Sequence, residues 1–275
     1  MTRSIAAELL VVRKRASTWI LLGIWTLLAL VFSYIVPYVQ YTNGSTRQSL
    51  DDLLPQHLVG QLMGGFPFFG GVFALQLGVL SVGSEYGWGT LRTLFTQRPG
   101  RLRIVASKLL GLGATLLPFV LVVYALGALS SYAIALHEGA DVAWPSAWLL
   151  VRALGAGWLI MAVWAAFGVL LAVLSRGTSL AIGIGILYSL VIEGLLSALA
   201  SEVSLLDHLV QFFLRANGYS LVAALGVSPT DVRDRGPGSF SGPFVSGGQA
   251  LLVLASYLVV FVAASGWLVR RRDVA

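Results

Sequence analysis

The chain has 275 residues, of which 57% are hydrophobic and 11% charged, with a formal net charge of +6. Soluble domains carry about 25% charged residues, so this chain has too little polar surface to face water throughout and reads as an all-α membrane protein. Its lack of cysteine excludes disulfide frameworks, iron–sulfur clusters, cysteine–zinc sites and thiol nucleophiles.

The leading segment alternates Ile5, Leu9, Leu10, Val11 and Val12 with Arg3, Glu8, Arg13, Lys14 and Arg15 at roughly helical spacing. That pattern predicts an amphipathic helix over residues 1–17, lying on the inner leaflet before the chain turns into the membrane. A bilayer core about 30 Å thick needs roughly 20 apolar residues per crossing helix. Six runs meet that need, at residues 18–38, 66–83, 109–136, 148–174, 178–200 and 249–269. The first has no small-residue cleavage site behind a short apolar region, so it reads as an uncleaved anchor. Pro118 lies inside the third, where neighbouring groups can satisfy the carbonyl it frees. Arg152, near the start of the fourth, is expected to snorkel to the headgroups. Only Ser175, Arg176 and Gly177 separate the fourth run from the fifth, which makes those two antiparallel neighbours in a tight hairpin. Gly155-Ala156-Gly157 and Gly183-Ile184-Gly185 are small enough for close helix approach. Trp19, Trp144, Trp148 and Trp267 fall near run ends, where indoles settle at the headgroups.

The segments between the runs carry further expectations. Ser49 with Asp52 three residues on can cap a short outer helix through Leu53, Leu54 and Leu58. Residues 201–248 are too many for a bare loop in a compact protein. Within them, Leu205, Leu206, Leu209, Val210, Phe212, Phe213 and Leu214 are broken by Asp207, His208, Arg215 and Asn217, which predicts two short helices dipping into the outer leaflet and turning near Asn217-Gly218. His57, His137 and His208 are far apart in sequence and lack ligand spacing, so no metal site is expected.

Charge placement orients the chain. With the N-terminus inside, thirteen of the 18 Lys and Arg residues fall on inner segments and five outside, so both ends are expected in the cytoplasm. The basic balance is then a signature of topology, and nucleic-acid binding is not needed to explain it. Glu193 is the lone acid well inside a run. An isolated charge in lipid costs at least about 2.5–3.5 kcal/mol on insertion scales, so it is expected to face a substrate or proton pathway, or else a buried polar contact to Tyr188, Ser189 or a neighbouring helix.

The inner loop between the second and third runs is the most informative. Gly87 and Gly89 permit a sharp exit from the membrane, and Gly89-Thr90 can start a short helix whose Leu91, Leu94 and Phe95 share a face. Pro99-Gly100 ends it, and residues 101–108 keep a basic and an apolar face before the third crossing. A short helix parallel to the membrane between two rigid spans is a surface for a cytoplasmic partner to push against.

The run Glu85-x-x-x-Gly89-Thr90-Leu91-Arg92-x-Leu94-Phe95, followed by Pro99-x-Arg101 and Lys108, resembles the cytoplasmic loop of ABC-2 type permeases, the membrane subunits of ATP-binding-cassette exporters. The six-run plan, the leading helix, the short fourth-to-fifth link and the long outer segment match as well. The resemblance implies a single transmembrane domain over 1–275, with a coupling region at 84–108 and outer re-entrant helices within 201–248. Residues 89–95 would be the coupling helix docking on the ATPase, Glu85 would brace it, and Arg101 and Lys108 would lie at the inner interface. It also implies a plasma (inner) membrane location, two ATPase subunits, a second permease copy as homodimer or heterodimer, membrane lipid, and an amphiphilic substrate. No Gly-x-x-x-x-Gly-Lys-Ser/Thr phosphate loop occurs in the chain. ATP and magnesium would therefore sit on the partner, and this chain would be no enzyme by itself. The alternatives are an ion-coupled secondary carrier working through Glu193, and a non-transporting membrane anchor or enzyme.

Overall fold

The structure is a computed structural model and describes residues 2–45, 48–87, 100–200, 208–227, 240 and 242–271. Among the described residues every regular element is helical. A leading helix, Thr2–Lys14, precedes six helices long and apolar enough to cross a membrane: Ala16–Thr42, Phe66–Gly87, Leu102–Glu138, Ala147–Ser175, Ser179–Leu199 and Gly247–Arg271. These are referred to below as the first to sixth spans. A further helix, Leu214–Ala223, lies between the fifth and sixth and is called the outer helix; inner and outer name the two ends of the bundle by the sidedness that charge placement leads one to expect.

All six predicted crossings are present, and the third is longer than expected. Its helix is continuous from Arg101 to Glu138, straight through Pro118. At 1.5 Å per residue those 38 residues reach about 57 Å, nearly twice the hydrocarbon thickness. The segment 101–108 is therefore the inner end of the third span itself, a rigid extension toward the loop.

The bundle is built around the second and fourth spans, whose apolar windows are 67% and 72% buried, against 22%, 22% and 17% for the first, fifth and sixth. Glycine makes this intimacy possible. A Cβ on Gly78 would stand 2.0 Å from the Ala165 carbonyl oxygen, and one on Gly168 would stand 2.2 Å from that of Leu75. Backbone meets backbone at both points, as in small-residue packing inside membranes. Above them, the Trp164 indole lies against Gly71 and the Phe66 ring against Gly157. Trp25 closes the first span onto this stack, edge-on to Phe66 at 5.2 Å. Of the glycines singled out in sequence, Gly157 and Gly185 take close contacts, while Gly155 and Gly183 have nothing within 4 Å of a Cβ position.

Local chemistry sets the connections. Trp19 donates its indole N–H to the Arg13 carbonyl (2.8 Å), which fixes the bend between the leading helix and the first span. Ser49 and Asp52 exchange the expected bonds, Ser49 N to Asp52 Oδ2 and Asp52 N to Ser49 Oγ, both at 3.3 Å, but no continuous helix follows: Leu54 before Pro55 is extended, two single 3-10 turns span 51–53 and 55–57, and the helix starts only at Leu58. Beyond the Ser49–Asp52 bonds Leu53, Leu54, Leu58, Leu62 and Met63 are buried under the outer ends of the spans. The fourth and fifth spans turn at Arg176, whose left-handed backbone (φ +54°) closes the tight hairpin.

The outer segment departs from expectation. Asn217 and Gly218 sit in the middle of the uninterrupted outer helix, both buried, and the turn falls earlier, at 211–213. The reason is contact: Gly218 meets the Pro67 ring, leaving only 3.0 Å for a Cβ, and Asn217 Nδ2 donates to the Gln211 and Phe213 carbonyls, both at 2.8 Å. An Asn-Gly pair that signals a turn in an exposed strand connection here caps and packs a helix. Arg152, expected to snorkel, donates from Nη2 to the Ala224 carbonyl at the end of that helix (3.3 Å).

Candidate functional site

Among the described residues two charge clusters built on buried groups stand out, one at each end of the bundle. The inner one forms at the roots of the loop between the second and third spans. The second span ends at Gly87, and Glu85 comes less than one turn earlier, 7% exposed. Lys108 lies two turns into the long third helix, 4% exposed. Its ammonium donates to Glu85 Oε1 at 2.5 Å and to Glu8 Oε1 at 3.0 Å. Glu8 arrives on the leading helix, which can approach the third because Gly111 has no side chain: a Cβ there would meet the Glu8 Cβ at 3.1 Å.

Arg15, at the bend after the leading helix, donates from Nη1 to the Leu80 carbonyl (2.8 Å) and acts electrostatically on Glu85. Two acids and two bases are thus gathered from four points of the chain. Buried ions of this kind are retained at a desolvation cost that only close pairing offsets. Mechanically, the cluster is a clasp that joins the two roots of the loop to each other and to the leading helix.

The predicted site residues divide accordingly. Glu85 and Lys108 are brought into direct contact, Gly87 is exposed at the end of the second span, and Arg101 begins the long third helix. Gly89, Thr90, Leu91, Arg92, Leu94, Phe95 and Pro99 lie outside the described residues. Sequence reasoning missed Glu8 and Arg15 as members of the cluster. The signal was present: with 12 acids in 275 residues, an acid embedded in a basic inner flank wants a nearby cation.

The outer cluster centres on Glu193, which is fully buried. Its carboxylate accepts the backbone N–H groups of Leu214 (2.7 Å) and Arg215 (3.1 Å), the first two residues of the outer helix. Arg215, 6% exposed, donates from Nη1 to the Ser189 carbonyl (3.1 Å) and lies over the Phe68 ring at 5.0 Å. Burial pushes the Tyr219 phenol up to about 12, with Arg215 opposing. Glu193 therefore makes buried polar contacts to a neighbouring helix. Arg215 was the partner that charge balance alone could have nominated.

A family model described as ABC-2 family transporter protein matches residues 4–274. No curated protein compared with the chain matches it.

Proposed function

The chain belongs to the ABC-2 family of transporter proteins, which makes it a multi-pass membrane subunit of an ABC transporter, and from that premise we propose that it forms the pathway of an ATP-driven exporter. In this reading two ATPase subunits close on ATP and push on residues 89–95 of two permease copies, with both termini and that loop in the cytoplasm. The cargo is amphiphilic.

The observation that carries the reading is the inner clasp. A loop that only connected two helices needs no buried Glu85–Lys108 pair at its roots with Glu8 drawn in from the leading helix. A loop that receives force does, because load on an unbraced loop frays the helix ends before it moves the helices. The Glu8–Lys108–Glu85 cluster converts the loop, two spans and the leading helix into one lever.

Two experiments test this. Sidedness comes first: in sealed cells, Thr93→Cys is expected to resist a membrane-impermeant maleimide added outside and to react after permeabilisation, and external labelling overturns the assignment. Docking comes second. Co-expressed with the ATP-binding subunit, Leu94→Asp and Arg92→Glu are expected to abolish co-purification or cut permease-stimulated ATP hydrolysis at least about tenfold, since interface hot spots exceed about 2 kcal/mol. Wild-type association and stimulation in both variants reject this loop as the docking element.

A further inference from the structure

The outer helix is joined to the fifth span by buried charged groups, and we propose that Glu193 and Arg215 are positioning residues forming a latch, through which movement of the fifth span releases the outer helix. The first N–H groups of a helix have no partner within it. The residue preceding this one, Phe213, offers no side-chain cap. The cap instead comes from another element: Glu193 takes the Leu214 and Arg215 N–H groups. The joint is reciprocal. Immediately before Glu193 the fifth span widens into a π turn, Tyr188–Ile192, which presents the Ser189 carbonyl to the Arg215 guanidinium. Gly194 follows, where a Cβ would sit 3.6 Å from Arg215 Nη1.

On its apolar side the outer half of the fifth span is seated by Tyr188, whose ring meets Phe167 edge-on at 5.2 Å and lies 6.2 Å from Trp164. Leu187, Leu190, Val191, Ile192 and Leu195 are all exposed, so its attachment to the outer helix runs through the polar joint. The inner half is seated differently. Gly185 meets the Leu75 side chain, and the hairpin at Gly177 and Thr178 packs on Gly83, two residues from Glu85 of the clasp. The fifth span therefore has its foot beside the clasp and its head tied by this joint to the outer helix, which also packs on the sixth span, the fourth span and the start of the second. Charge-assisted bonds to a buried carboxylate act only at contact distance, so a tilt of the fifth span breaks the latch in one step.

The docking half of this proposal is independent of the exporter reading, whereas the release half rests on it. The native chain has no cysteine, so Ala216→Cys, at a position 1% exposed on the outer helix, is a clean reporter. The full chain in lipid nanodiscs, without any ATPase, is labelled with a soluble maleimide, and Val142→Cys, exposed in the link between the third and fourth spans, serves as the reference rate. Glu193→Ala is expected to speed reaction at position 216 by at least about tenfold, as loss of a charge-assisted bond implies, with the reference unchanged. Glu193→Gln, which keeps one acceptor oxygen, falls between and supplies the comparison if the alanine variant does not fold. Equal rates at position 216 in all variants overturn the latch. In the assembled complex, ATP is expected to accelerate the same reaction. A complex that hydrolyses ATP with no change in rate overturns the release step and leaves the exporter reading standing.

Discussion

Gly78→Ala and Gly168→Ala are expected to separate the two central helices and to cost on the order of 3 kcal/mol or more each, at or beyond the upper end of ordinary overpacking. The reason is the identity of the neighbouring atom. A flexible side chain can swing away from an added methyl, but here the methyl would stand 2.0 Å from Ala165 O or 2.2 Å from Leu75 O, and carbonyls locked in a helix cannot retreat alone. One whole helix has to shift, and with it the Phe66, Trp164 and Trp25 packing layered on the same contact. The expected result is a large drop in the thermal midpoint of the solubilised protein, followed by size-exclusion profile and tryptophan fluorescence. Gly155→Ala and Gly183→Ala are the controls. Neither position has an atom within 4 Å of the new methyl, and alanine is the better helix former by about 1 kcal/mol, so both are expected to melt at or above the wild-type temperature. Melting of Gly78→Ala with the wild type would remove the close second-to-fourth contact as the organising feature of the bundle.

Lys108→Ala is expected to show the second-largest effect, on stability and on coupling together. Removing one partner of a buried ion cluster leaves the others charged and unpaired, which costs about 3–5 kcal/mol in fully buried cases. Glu8 keeps 22% of its side chain exposed, so about 3 kcal/mol is the expected scale here. The double variant Glu85→Gln with Lys108→Met is expected to be less destabilised than the sum of its single changes, because it removes the ion pair without stranding a charge between these two residues. The thermal midpoints of the four proteins give that cycle directly. In the assembled transporter, Lys108→Ala is expected to retain ATPase association while losing most of its stimulation of hydrolysis and transport. Additive midpoints, together with undiminished stimulation, would show that the clasp carries neither stability nor force.

Much of the fold is legible without coordinates, for an elementary reason. A membrane demands that every crossing backbone satisfy its own hydrogen bonds, so an uncharged run of adequate length is already a helix. That is why the six crossings agree with expectation, as do the leading helix and the Ser175–Gly177 hairpin. Short-range rules failed where a distant neighbour outweighed them. Asn217-Gly218 carries a local turn signal, yet the Pro67 ring and the carbonyls of Gln211 and Phe213 provide better partners when the pair is helical. Gly157 and Gly185 do take the close side-chain contacts that their composition announces, but backbone meets backbone at Gly78 and Gly168, each isolated among larger residues.

The candidate site shows the same division. Glu85 and Lys108 could be named from the loop they flank, because both lie within one local motif. Glu8 stands 100 residues from Lys108, and Arg215 is held by a carboxylate and a carbonyl more than twenty residues earlier, so neither pairing leaves a periodic trace. The amino-acid order alone determined that this is a six-crossing helical membrane subunit, since length, apolarity and the placement of basic residues are properties of each segment taken singly. Tertiary structure alone decided which helices form the interior, which charge neutralises which, and what becomes of Glu193. Those outcomes depend on three-dimensional distance between segments, and a buried charge takes its role from whichever donor lies within about 3 Å of it.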